Sequence, residues 1–193
     1  MFGETTPDLR ILRSVACLTA LAISATAAGA AAAEPAAQSP SWIASDAGKK
    51  TVTLDVVAAW NSNNSALNFN GYHDGDATIV IPVGWSATFN FSNNDAALPH
   101  SLLVTKPYAK ADLPVQAGTD LVAIPRAYTN NPAAGLAAGQ TDNFQVNATA
   151  PGEYDLLCGA PGHAQGGMWF HLSLRADAAK PGLIVAPGAD PGR

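Results

Sequence analysis

The stretch Cys158-Gly-Ala-Pro-Gly-His163-Ala-Gln-Gly-Gly-Met168-Trp169 decides how the rest of the chain is read. A thiol, an imidazole and a thioether stand at C-x4-H-x4-M within one short loop, a soft sulfur and imidazole donor set that suits copper. The residues between them explain the spacing. A strand ending at Cys158 turns through Gly159, Pro161 and Gly162, presents His163, turns again through Gly166 and Gly167, and presents Met168 as the next strand begins. Three donors thereby reach one point without a helix.

A further imidazole stands upstream, in Leu98-Pro99-His100-Ser101, behind an alternating segment that reads as a strand. Because His100 comes from a different strand, the site belongs to the folded scaffold, and its geometry need not reorganise when the metal changes charge. The expected arrangement is one copper ion with His100, Cys158 and His163 in a trigonal set and Met168 as a weak axial ligand. A structural zinc site would favour more thiolates and imidazoles over a thioether. A binuclear copper site would need a second cysteine near Cys158, and there is none. The chain has no Gly-x-Ser-x-Gly elbow, so a hydrolase reading has no nucleophile, and no catalytic residue is expected.

Four further segments lead into this loop: Asn68-Phe69-Asn70-Gly71-Tyr72, Ile81-Pro82-Val83-Gly84-Trp85, Leu98-Pro99-His100-Ser101 and Pro151-Gly152-Glu153-Tyr154. With the Cys158 loop, they make the chain resemble the cupredoxins, and among them sulfocyanin and, more distantly, rusticyanin, over roughly residues 50 to 175. The resemblance implies a mononuclear blue copper protein that carries single electrons. It also implies that the outer edge of His163, flanked by Ala160, Pro161, Gly162 and Ala164, meets the surface within an apolar patch. Ser101 stands where many cupredoxins carry Asn, and it is expected to tune the potential through the Cys158 sulfur. The apolar neighbours Leu98, Leu102, Met168 and Trp169 point to a potential on the high side.

The chain of 193 residues, 48% hydrophobic and 13% charged, suits one globular domain with a sizeable core. Arg10 and Arg13 precede an apolar run from Ser14 to Ala33 that ends Ala31-Ala32-Ala33, the layout of a signal peptide. The alternative is a retained membrane anchor, since about 20 apolar residues can span a bilayer. Residues 1–33 are therefore assigned to export and 34–50 to a linker or arm. Cys17 lies in the apolar run as a small filler without a lipobox. The mature chain then has Cys158 alone, and metal ligation accounts for a lone thiol in an oxidising compartment.

Residues 51–175 carry alternating or β-branched runs at Thr51–Ala59, Ala77–Val83, Trp85–Phe91, Leu102–Val104, Thr141–Ala148, Tyr154–Cys158 and Trp169–Arg175. Seven or eight strands without an amphipathic helix predict an all-β fold, an antiparallel Greek-key β-sandwich of the cupredoxin type. Between Thr105 and Gln140, prolines break the pattern, although Leu121–Ile124 reads as a short strand. This long excursion is expected to cover one edge of the site. Residues 176–193, rich in Pro and Gly, read as a flexible tail. Trp60, Trp85 and Trp169 are expected in the core, with Trp169 near the metal. His73 is expected in a solvated turn and His171 at the surface or an edge.

A formal net charge of −5 argues against nucleic acid as a partner. The expected partners are redox proteins such as a c-type cytochrome or a terminal oxidase, met by a monomer in an exported compartment, periplasmic or at the cell surface. Membrane association would come through residues 14–33 if they are retained. The competing function is a copper carrier or delivery module without redox turnover.

Overall fold

The computed structural model describes residues 1–3 and 37–192. The expected export segment, with Cys17, lies outside the described residues apart from the first three. Among the described residues nine strands follow in order: β1 (Ile43–Asp46), β2 (Thr51–Ala58), β3 (Ala77–Pro82), β4 (Ser86–Asn93), β5 (Leu103–Thr105), β6 (Thr141–Asn147), β7 (Gly152–Leu157), β8 (Trp169–Arg175) and β9 (Gly182–Val185). They form two sheets, ordered β1-β2-β4-β6 and β5-β7-β8-β3-β9.

The strands follow from period-two alternation. Val52, Leu54, Val56 and Ala58 of β2, Ala87, Phe89 and Phe91 of β4, and Phe144 and Val146 of β6 are buried on one face, with Thr51, Asp55, Ser86 and Asn90 exposed on the other. Against this face the second sheet packs Ile79, Ile81, Leu156, Phe170, Leu172 and Leu174. Phe69 enters from the loop between β2 and β3. Its ring stands edge-on to Phe170 at 5.6 Å and to Phe91 at 6.5 Å, a geometry that favours the aromatic quadrupoles.

The sandwich differs from the expectation in three respects. Its sheets are mixed, because β2 runs parallel to β4 and β3 parallel to β8. Between β2 and β4 the chain crosses into the other sheet to form β3, so both strands enter their sheet in the same direction, which a tight hairpin would forbid. The strands also extend beyond 51–175 at both ends. β1 lies in the expected arm and pairs with β2, from Ile43↔Leu54 to Asp46↔Thr51. β9 lies in the expected flexible tail, pairs with β3 and buries Leu183, while Gln38 bridges to Leu183. One large buried side chain in each short strand, Ile43 in β1 and Leu183 in β9, suffices to hold it where a partner's edge supplies the hydrogen bonds.

The excursion between β5 and β6 has no regular strand. The expected strand at Leu121–Ile124 is reduced to a bridge between Thr105 and Val122, beside a single 3-10 turn at Thr119–Leu121. The excursion nevertheless packs. Leu113 and Ala117, with Tyr108, Leu121, Val122 and Tyr128 at the margin, cover Leu103, Leu157, Ala164 and Trp169 on the outer face of the second sheet.

Candidate metal centre

His100 is delivered by a short ladder rather than a regular strand. Its N–H donates to Leu136 O at 3.1 Å and its carbonyl accepts from Leu136 N at 2.7 Å. Gly135, at φ +78°, lets the excursion approach this closely, since a Cβ there would lie 2.9 Å from the His100 nitrogen. Cys158 follows β7 directly and Met168 precedes β8, and the Cys158 N–H donates to Met168 O at 3.1 Å. The loop between them closes on itself: His163 N–H donates to Ala160 O, Gly166 N–H to Gly162 O, Gly167 N–H to Ala164 O and Met168 N–H to His163 O.

These constraints bring His100, Cys158 and His163 together, with one donor atom from each inside 4.8 Å. Nδ1 of His163 lies 3.1 Å from Nδ1 of His100 and 3.4 Å from Cys158 Sγ, and Sγ lies 3.9 Å from His100 Nδ1. His100, Cys158 and Met168 are buried, and His163 is half-buried. Burial pushes the Cys158 thiol up, against the opposing hydrogen bond from the Ser101 N–H. Burial also lowers His100, opposed by Asp95, and lowers His163 together with the neighbouring His100. Both imidazoles are thereby kept neutral, with a lone pair to offer.

Asp95 was not legible as part of the site. Its Oδ2 lies 3.0 Å from His100 Nε2, while its Oδ1 accepts from the Ala97 and Leu98 N–H groups. Although burial opposes ionisation, those donors and His100 hold the carboxyl at about 2. A carboxylate at Nε2 places the ring proton there and turns the Nδ1 lone pair toward Cys158. The only sequence signal is the Asn93-Asn94-Asp95 turn just before Pro99-His100. Asn93, fully buried, fixes that turn by accepting from the Asp95 N–H and donating to Leu98 O and Leu136 O.

A sulfocyanin (SoxE) domain profile matches residues 38–185. The chain is 30% identical over 139 residues to the sulfocyanin of Sulfolobus acidocaldarius, covering 70% of this chain and 69% of that protein. It belongs to the sulfocyanin family. Among solved structures, an auracyanin of Roseiflexus castenholzii is similar at 22% identity, covering 64% of this chain and 96% of that one, with a TM-score of 0.44. Rusticyanin from Thiobacillus ferrooxidans is similar at 19% identity, covering 65% and 82%, with a TM-score of 0.39. As a sulfocyanin-family protein, the chain is a blue copper electron carrier and not an enzyme.

The donor triangle fits that assignment on its own geometry. Metal–nitrogen and metal–thiolate bonds of about 2.0 and 2.3 Å around a three-coordinate centre put the donor atoms about 3.5 to 3.8 Å apart. The observed separations of 3.1, 3.4 and 3.9 Å lie close to this. Without a cation one Nδ1 can carry a proton and donate it to the other at 3.1 Å, whereas a cation between them uses both lone pairs.

Among the described residues the other two histidines lie outside the donor triangle. His73 sits in a turn with Asp74, its Nδ1 3.3 Å from Asp74 Oδ2. His171 bonds Asp155 Oδ1 at 2.8 Å; its strand β8 is interior rather than an edge, but its side chain is 39% exposed at the surface. Trp169 is buried, but alternation turns it into the outer cluster with Leu157 and Ala164, while Met168 packs with Cys158 in the main core. Trp85 is buried as expected, whereas Trp60 is 51% exposed. Ser101 does reach the sulfur, chiefly by its backbone: its N–H donates to Cys158 Sγ at 3.4 Å, with Oγ 3.8 Å away.

Proposed function

We propose that this chain binds one copper ion through His100, Cys158, His163 and Met168 and passes single electrons between redox proteins in an exported compartment, periplasmic or at the cell surface. Bound copper supplies a reversible one-electron couple. The protein supplies the rest: Asp95 fixes the His100 ring, the Ser101 N–H stabilises the sulfur, and the core around Met168 keeps water out. The observation that carries the reading is the convergence of two imidazoles and a thiol from separate segments, buried on all sides except at His163.

The partly exposed His163 is the proposed port. Ala160 and Ala164 are each 2% exposed, so the small residues expected to form the patch face inward. The apolar rim comes instead from Pro161, exposed beside His163, from Val115 at 61% exposure, and from Leu98 at 45%, two residues before His100. Gly162 N–H donates to Val115 O at 2.7 Å, which places Val115 against the ligand loop. A c-type cytochrome and a terminal oxidase are the partners we propose for this surface. A delivery module would need donors open to exchange, and burial of Cys158, His100 and Met168 disfavours that role.

Metal analysis with optical and paramagnetic spectra tests the reading. The oxidised protein should show an intense visible band, bleached reversibly by a reductant, and Cys158→Ser should abolish it because the thiolate supplies the charge-transfer transition. A band that survives in Cys158→Ser refutes the ligand assignment, and a copper-loaded protein that cannot be cycled refutes electron carriage.

A further inference from the structure

The loop between β2 and β3, Asn61 to Tyr72, is rich in asparagine and strained. Asn64, Ser65 and Ala66 stand consecutively at φ 49°, 55° and 67°, the left-handed region that L-residues avoid. A backbone held this way persists only where surrounding contacts over-determine it. Here Asn68, fully buried, is the knot: its Nδ2 donates to Asn61 O and Asn63 O, and its Oδ1 accepts from the Trp60 and Gly71 N–H groups. Asn70 staples the loop to β2 by accepting from the Val57 N–H and donating to Asp55 O.

The product of that strain is the placement of one amide. Asn64 Nδ2 donates to Leu67 O at 2.9 Å and to Gly166 O, in the ligand loop, at 2.8 Å. Asp74 N–H takes the next carbonyl, Gly167 O, at 2.7 Å. Gly166 and Gly167 are the last two of the four residues between His163 and Met168. The approach is close: a Cβ on Gly167 would lie 2.7 Å from Asn64 Nδ2, and one on Gly166 would lie 2.8 Å from Leu67 Cδ1.

We propose that Asn64 is a positioning residue for the metal site, holding the Gly166-Gly167 hinge from outside so that His163 and Met168 keep a fixed separation. The inference rests on the copper reading only for its spectroscopic consequence. The Asn-Phe-Asn-Gly segment then has a physical task, since Asn68 and Asn70 hold the loop in which Asn64 is mounted.

Two variants separate the amide from the backbone it sits on. Asn64→Asp keeps the size and the tolerance for a left-handed conformation, but turns an acceptor toward two carbonyls. Asn64→Gly removes the amide and the strain at position 64, leaving that at Ser65 and Ala66. In the copper-free protein, amide hydrogen exchange at Gly167 and Met168 should quicken about tenfold in both variants, with the strands unchanged. In the copper-loaded protein, both variants should keep copper but change the visible band ratio and the Cu(II) hyperfine splitting. Unchanged exchange in Asn64→Asp, or unchanged spectra in both variants, overturns the proposal. A parent protein that takes up no copper refutes the proposed function instead, and the exchange rates then decide the bracing by themselves.

Discussion

Asp95→Asn perturbs the metal centre through one proton. In the parent protein the two carboxylate oxygens do different work: Oδ1 accepts from Ala97 N–H at 2.8 Å and Leu98 N–H at 3.0 Å, and Oδ2 faces His100 Nε2 at 3.0 Å. An asparagine can keep the first set with its oxygen, but its NH2 then confronts Nε2–H donor to donor. The imidazole responds by moving its proton to Nδ1, the atom that faces Cys158 and His163. If the amide flips instead, the turn loses two acceptor contacts. Outer partners of a ligating histidine are worth about 10- to 100-fold in metal affinity, which is about 1.4 to 2.7 kcal/mol. Competitive titration with a chelator of known affinity should show a loss of that size, with far-ultraviolet circular dichroism unchanged. Affinity within about twofold of the parent would refute the tautomer argument, because the carboxylate would then be no more than a turn cap.

Two further substitutions test neighbouring parts of the account. Ser101→Ala removes the hydroxyl that donates to Pro132 O at 2.7 Å and accepts from Gly159 N–H at 2.8 Å, leaving both groups buried and unpaired. Denaturant unfolding of the copper-free protein should show a loss of about 2 to 4 kcal/mol, while the visible band persists through the retained Ser101 N–H; a loss below about 0.5 kcal/mol would mean that the hydroxyl bridge does not hold the loop. Val115→Glu should slow electron exchange with a c-type cytochrome several-fold in stopped-flow measurements, without altering the copper spectrum, and equal rates would move the docking surface away from His163.

Alternation along β2, β4 and β6 was readable because one face of that sheet meets solvent, so each apolar residue at period two declares the core side. Partner and direction are not carried by that pattern. Thr51–Ala58 would alternate identically beside a parallel or an antiparallel neighbour, and β2∥β4 arises from a crossing between sheets that no local residue marks. β1 and β9 were missed for a related reason: Ile43 and Leu183 are the residues that bury deepest in their strands, and what holds those strands is the unpaired edge of β2 and of β3. A segment stabilised by its neighbour's backbone looks like an arm or a tail when read alone.

The metal site divides along the same line. Cys158, His163 and Met168 lie within eleven residues, so turn chemistry ties their order to their geometry and the spacing announces the chemistry. The groups that orient them act across the fold. Asn64 reaches Gly166 over 102 positions, Ser101 reaches Cys158 over 57, and Gln165 reaches Leu113 over 52. Asn64 and Gln165 donate side-chain amides to backbone carbonyls and Ser101 donates its backbone N–H to the sulfur, contacts open to many residue types, so residue type alone gives no signal. Asp95 sits between the two cases, five positions from His100 and within a recognisable turn. Donor identity is thus a local property of this chain, and donor geometry a property of the whole sandwich. A loop with the same C-x4-H-x4-M spacing grafted onto another sandwich would keep Cys158, His163 and Met168 but lose His100, together with Asn64, Ser101 and Asp95, the contacts that hold the donors in place.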